Sequence, residues 1–195
     1  MNGRGNPLIA ALLIALSCVL VFALEDDGRL EATNLGVSGM ALGDGEWARA
    51  LTFMFAHASA QHLLVNLVGL AAVAVLAWEL GLSSSAFLGV FLTASMLTVV
   101  PVALLLEEPY VFLGASAGVS GLFGAVAVEF RRYGFPAAKV LLLFALALVV
   151  GPLLEGMQLA TGTAAMQALM HLTALVVGAE LALSRAYWSP DGRTR

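Results

Sequence analysis

Charge is what this chain has least of. Only 11% of its 195 residues are Asp, Glu, Lys or Arg, against about 25% in a soluble domain. That is too little polar surface to keep a globule of this size in water. Cysteine is nearly absent as well. The single Cys18 excludes an intrachain disulfide framework, and in an apolar run it reads as a small packing residue rather than a reactive thiol. There is no basic block, and the net charge is −4, so no nucleic-acid partner is expected. No repeat or low-complexity segment stands out, and no stretch is left over for a separate soluble domain.

What the chain does have is apolar residues: 61% hydrophobic, with mean hydropathy +0.95. Runs of about 17 or more recur along its length, each long enough for a transmembrane helix. The expected fold is all-α and polytopic, one membrane-embedded domain over 1–195, with spans at about 7–24, 61–80, 84–106, 111–130, 137–154 and 164–183. Arg4 before the first span raises a signal peptide as the alternative, but the cleavage pattern near Ala23 is poor and a retained helix is the reading. The polar connection 25–49 is too long for a tight turn and is expected to fold back onto the membrane surface, with Trp47 at the interface. Glu107-Glu108-Pro109 forms an acidic turn, and the tail carries Tyr187 and Trp188 for the interface.

Six spans put both termini on one side. With the N-terminus in the cytoplasm, the inside segments hold Arg4, Arg131, Arg132, Lys139, Arg185, Arg193 and Arg195, and the outside ones only Arg29 and Arg49. Seven basic residues against two favour cytoplasmic termini, in a bacterial inner membrane.

The run Gly114-Ala115-Ser116-Ala117-Gly118-Val119-Ser120-Gly121-Leu122-Phe123-Gly124 lies in the fourth span. Taken alone, such glycines are packing residues. In this topology Ser116 falls roughly 7 to 8 Å below the outer end of its helix, and His171 on the sixth span roughly 10 Å below its own. His62 and Asn66, four apart and so on one face of the second span, also lie toward the outside. The stripe Ser116, Ser120, Gly124 matches the stripe His171, Ala174, Gly178, and small residues bring helix axes close. Polar side chains at such depth face the protein interior or a cavity. A serine paired with a histidine there is a candidate nucleophile and base. His62, Asn66 and backbone N–H groups are candidate donors to an oxyanion. Glu129 and Glu180 lie further along their helices, so a dyad without a carboxylate is expected. Asn66 by itself would be interhelical glue.

These motifs resemble the rhomboid intramembrane serine proteases. Gly114-Ala115-Ser116-Ala117 is similar to the family's G-x-S-x nucleophile motif, with Gly121 and Gly124 following at the usual spacings. The run His57-Ala58-Ser59-Ala60-Gln61-His62-Leu63-Leu64-Val65-Asn66 is similar to its histidine–histidine–asparagine cluster. Glu46-Trp47-Ala48-Arg49 is similar to the first-loop Trp/Arg element, and His171 through Gly178 to the last-helix base motif. The resemblance covers about 45–178. It implies a six-helix rhomboid-like bundle that cleaves single-span or C-terminally membrane-anchored proteins near the outer face of the lipid bilayer. It implies Ser116 as nucleophile, His171 as base, His62 and Asn66 in the oxyanion site, and His57 and Arg49 as structural support, with no cofactor and no metal. Ala117 and Ala174 stand where glycine is common in the family, each adding a methyl at a tight contact. Ala48 stands where many members have an aromatic, and the loop after Glu79 lacks the usual basic residues. The compact build also resembles the rhombosortase branch.

Gly118-Val119-Ser120-Gly121 reads as G-x-S-G too. Counted from Ser120, however, the later family glycines would fall on Ala125 and Val128, which favours Ser116 and leaves Ser120 as a packing serine. Two other readings stand beside the protease. One is an inactive rhomboid-like protein that binds membrane proteins. The other is a metal-dependent membrane enzyme or small transporter built on His57, His62 and His171, against which no acidic residue lies at that depth.

Overall fold

The structure, a computed structural model, describes residues 5–101, 111–156 and 161–184. The far end of the third apolar run, the acidic turn 107–109 and the tail with Tyr187 and Trp188 lie outside the described residues. Everything described is helix or connection, apart from one isolated bridge. The helices are α1 (Pro7–Asp26), α2 (Ala32–Leu35), α3 (Gly39–Gly43), α4 (Arg49–Thr52), α5 (Ala60–Glu79), α6 (Ser84–Leu97), α7 (Ser116–Glu129), α8 (Ala137–Gly156) and α9 (Thr161–Leu183).

Local chemistry sets most of the starts. Asn6 caps α1 by accepting the Leu8 N–H, with Pro7 in the first helical position, where its missing N–H costs nothing. Ser59 caps α5 by accepting from His62, and Ser83 caps α6 by accepting from Ala86. α7 differs: Ala115 precedes it and no side chain caps it.

α7 is the axis of the bundle. It touches α5, α6, α8 and α9, while α1 lies outside against α5 and α6. Twelve of its 14 residues are buried. A helix hidden on all sides has to be small and apolar all round, and Ser116–Glu129 carries three glycines and three alanines among its 14 residues. The outer helices are apolar where they have no neighbour. Leu12, Leu13, Leu16 and Leu20 on α1, Leu64, Val65 and Val68 on α5, and Leu142, Leu143 and Leu146 on α8 are exposed. Such a surface is at home in lipid and insoluble in water. Among the described residues four helices, starting at Pro7, Ala60, Ser84 and Ala165, are long and apolar enough to cross a membrane. The chain is an integral membrane protein.

One expectation needs correction. The helix expected from residue 111 begins only at Ser116. Residues ahead of it run extended: Val37 and Phe112 exchange both backbone hydrogen bonds at 2.8 Å, and Gly114 takes φ +116, a conformation closed to other residues. The pairing with the first loop keeps this piece out of the helix. The first loop, expected over 25–49, holds α2, α3 and the start of α4.

Candidate active site

Ser116 is the first residue of α7, and His171 lies eleventh in α9. Equal distances from the two helix starts therefore do not describe the site. The chain is not helical over 111–115, so α7 begins late and its first residue meets the middle of α9. There Ser116 Oγ and His171 Nε2 are 2.9 Å apart, hydrogen-bonded, with both residues half-buried.

That approach depends on glycine. A Cβ on Gly178 would run into the Gly121 carbonyl, and one on Gly124 into the Leu175 carbonyl. Gly121 and Gly124 of α7 thus meet the backbone of α9, beside the Ser116–His171 contact. Ala117 and Ala174, the two extra methyls, are buried in one cluster with Ala94 of α6. They fill the junction of α6, α7 and α9 beside the Ser–His pair. Ser120 is buried and donates its hydroxyl to the Ser116 carbonyl at 2.7 Å, the back-bond expected of a serine that packs within a helix.

The uncapped start of α7 has a chemical consequence. The first turn of any helix leaves N–H groups without an intrahelical acceptor, and they sit at the positive end of the helix dipole. Here these groups belong to Ser116 and its neighbours. Beside them, a Cβ at Gly114 would lie 2.8 Å from the His62 ring and 3.7 Å from the Asn66 amide nitrogen. Glycine at 114 serves both the backbone turn and this space. Gly114 N–H donates to the Phe53 carbonyl at 2.8 Å. Asn66, buried, donates one amide hydrogen to the His62 carbonyl at 2.8 Å.

His57 stands behind His62, with ring centroids 5.2 Å apart and the rings edge to face. Its Nδ1 is 3.1 Å from the Phe55 carbonyl, so Nδ1 carries the proton and donates. Burial first, and the nearby His62 second, lower its pKa from the usual 6.5 to about 4, against the opposing pull of the Phe55 carbonyl. The unfolded chain takes up a proton here near pH 6.5 that the folded protein refuses until about pH 4. Stability is therefore expected to be full above pH 6.5 and to fall as the pH drops towards 4. Unfolding temperatures in detergent between pH 7.5 and 5 check this: the decline should be shallower in His57→Asn.

Arg49 holds the first loop rather than the serine. It pairs with Glu46 and donates to the Thr33 and Gly36 carbonyls at 2.6 and 3.2 Å. Thr52 donates to Leu35 at 2.9 Å. This anchors the segment whose Val37 bonds Phe112, two residues before Gly114. Glu129 pairs with Arg132, and Glu180 is exposed. Among the described residues no group of three or more His, Cys, Asp or Glu is placed to hold a metal ion. The Phe53 carbonyl and the Glu25 carboxylate escaped sequence reasoning. Both act across more than 30 residues of chain, and no local pattern marks them.

The rhomboid domain family matches residues 44–187. Over 128 residues the chain is 32% identical to the Rhomboid protease GluP of Bacillus subtilis (strain 168), a match that covers 63% of this chain and 25% of that protein. The matched region is thus about a quarter of that relative's length.

Proposed function

Because the chain belongs to the rhomboid family, we propose that it is an intramembrane serine protease in which Ser116 is the nucleophile and His171 the general base. The observation that carries the reading is the 2.9 Å hydrogen bond between Ser116 Oγ and His171 Nε2 at the uncapped start of α7.

In this mechanism neutral His171 takes the hydroxyl proton through Nε2 as Ser116 Oγ attacks a substrate carbonyl. The carbonyl oxygen becomes an oxyanion. The first-turn N–H groups of α7, with His62 and the Asn66 amide across from them, are the donors placed to receive it. Preorganised donors of this kind are each worth roughly 3 kcal/mol. His171 then gives its proton to the leaving amine, and the C–N bond breaks to leave an acyl-enzyme on Ser116. Water, losing its proton to His171, attacks the ester carbonyl. The second tetrahedral species collapses, the carboxylic product leaves, and the proton returns to Ser116. Arg49 and His57 support this site from the first loop and from the entry to α5.

The substrates are membrane-anchored proteins, single-span or held by a C-terminal anchor, cut near the outer face. The topology that goes with this has six crossings, α1, α5, α6, α7, α8 and α9, with both termini in the cytoplasm of a bacterial cell, as the seven-to-two distribution of Lys and Arg favours. α7 is 14 residues long, a rise of roughly 21 Å. The non-helical residues 111–115 precede it.

The test is cleavage of a single-span reporter by purified protein in liposomes, with an internal and a C-terminally anchored version compared. Ser120→Ala should keep most of the activity. His62→Ala and Asn66→Ala should each lower kcat by about 10²-fold with little change in KM, because an oxyanion donor acts in the transition state. A wild type that binds the reporter without cutting it would favour a binding role instead.

A further inference from the structure

We propose that Glu25, in the last turn of α1, is a positioning residue for the oxyanion side of the site, acting through His57 on His62. This rests on the protease reading above.

The acidic run Glu25-Asp26-Asp27 closes α1. Asp26 and Asp27 are exposed, and Asp27 pairs with Arg29 at 3.0 Å. Glu25 alone turns inward. Its Oε2 accepts the His57 backbone N–H at 3.4 Å, and its Oε1 is buried without a hydrogen-bond partner among the described residues. A buried carboxylate oxygen in this state is costly and calls for a reason. Across the contact, His57 is 2% exposed. Its Nδ1–H is committed to Phe55, and its Nε2 is buried and unbonded among the described residues. The His57 ring abuts the His62 ring edge to face, and the His62 ring fills the space above Gly114.

The geometry is a chain of three supports: Glu25 on the His57 backbone, His57 on the His62 ring, His62 beside the start of α7. Each link is short in reach and joins a different element, α1, the 53–59 connection and α5. The Glu25 carboxylate holds the N–H two residues ahead of the Ser59 cap of α5. Removing it frees the connection that carries His57, and the His62 ring loses its fixed neighbour. Misplacing an oxyanion donor weakens the transition state more than the bound substrate. The mark of a positioning role is therefore a fall in kcat at constant KM.

The experiment compares wild type, Glu25→Ala, Glu25→Gln, His57→Ala and the double variant Glu25→Ala/His57→Ala, as full-length protein in liposomes with the single-span reporter. Glu25→Ala should lower kcat ~10-fold with KM held within about two-fold. Glu25→Gln keeps an oxygen that accepts the His57 N–H and should restore most of the loss. The double variant should be no slower than His57→Ala alone, because both changes break one chain of contacts. Should Glu25→Ala not fold, Glu25→Asp, one methylene shorter, takes its place with the same expected split. An unchanged kcat overturns the proposal, and so do equal losses in Ala and Gln that simply add to that of His57→Ala. An inactive wild type overturns the protease reading instead, so the two failures are distinct.

Discussion

Replacing Ser116 by alanine is expected to lower reporter cleavage by on the order of 10⁴-fold or more, and replacing His171 by alanine to lower it as far. The expectation follows from the 2.9 Å contact between the two side chains. In the proposed mechanism neither group does its work without the other: the hydroxyl is a poor nucleophile until its proton has somewhere to go, and the imidazole has no proton to take if the hydroxyl is gone. Groups that act as one unit give losses that do not add. The double variant should therefore be no slower than either single one. Initial rates in liposomes, with protein amounts matched by quantitative blotting, measure this. Multiplying losses would mean that the two residues act in separate steps.

The second large effect is structural. Gly178→Val is expected to keep the protein from folding, at a cost above about 3 kcal/mol. The Cβ would strike the Gly121 carbonyl and its carbon on α7. The obstacle is backbone, not the end of a flexible side chain, so relief requires moving α9 away from α7. That displacement would also carry His171 away from Ser116. Gly43→Ala serves as the control, since a Cβ there meets nothing within 4 Å. Yield of monodisperse protein in detergent and its unfolding temperature separate the two: Gly43→Ala should match wild type, while Gly178→Val should give little folded material.

Much of this was legible in the sequence because it depends on composition and short spacings. The apolar runs mark the long helices, since length and hydropathy alone decide what can cross a bilayer. Ser116, His171, His62 and Asn66 were identifiable from residue type and spacing: Ser116 bonds His171, and His62 and Asn66 lie beside Gly114. The start of α7 was not legible. Hydropathy runs on through Val111 to Leu113, whereas the true start is set by a tertiary contact, the Val37–Phe112 bridge, and by Gly114 at φ +116. Starting the helix at Ser116 leaves the first-turn N–H groups beside the hydroxyl, a feature invisible when the serine is placed within the helix. The register of α7 on α9 was legible in part: helical period gave Ser116, Ser120 and Gly124, whereas the approach of Gly121 to Gly178 is fixed by which carbonyls meet. The inward turn of Glu25 shares the cause: of three adjacent acids, only the fold decides which one meets His57.

The central claim is that the Ser116 hydroxyl is made nucleophilic by His171. The measurement that tests it most directly is reaction of the purified protein with a fluorophosphonate, followed by intact mass and mapping of the modified peptide. One adduct per chain is expected, located on Ser116, present in Ser120→Ala and absent in His171→Ala. An adduct on Ser120, or labelling of Ser116 that persists undiminished in His171→Ala, would contradict it.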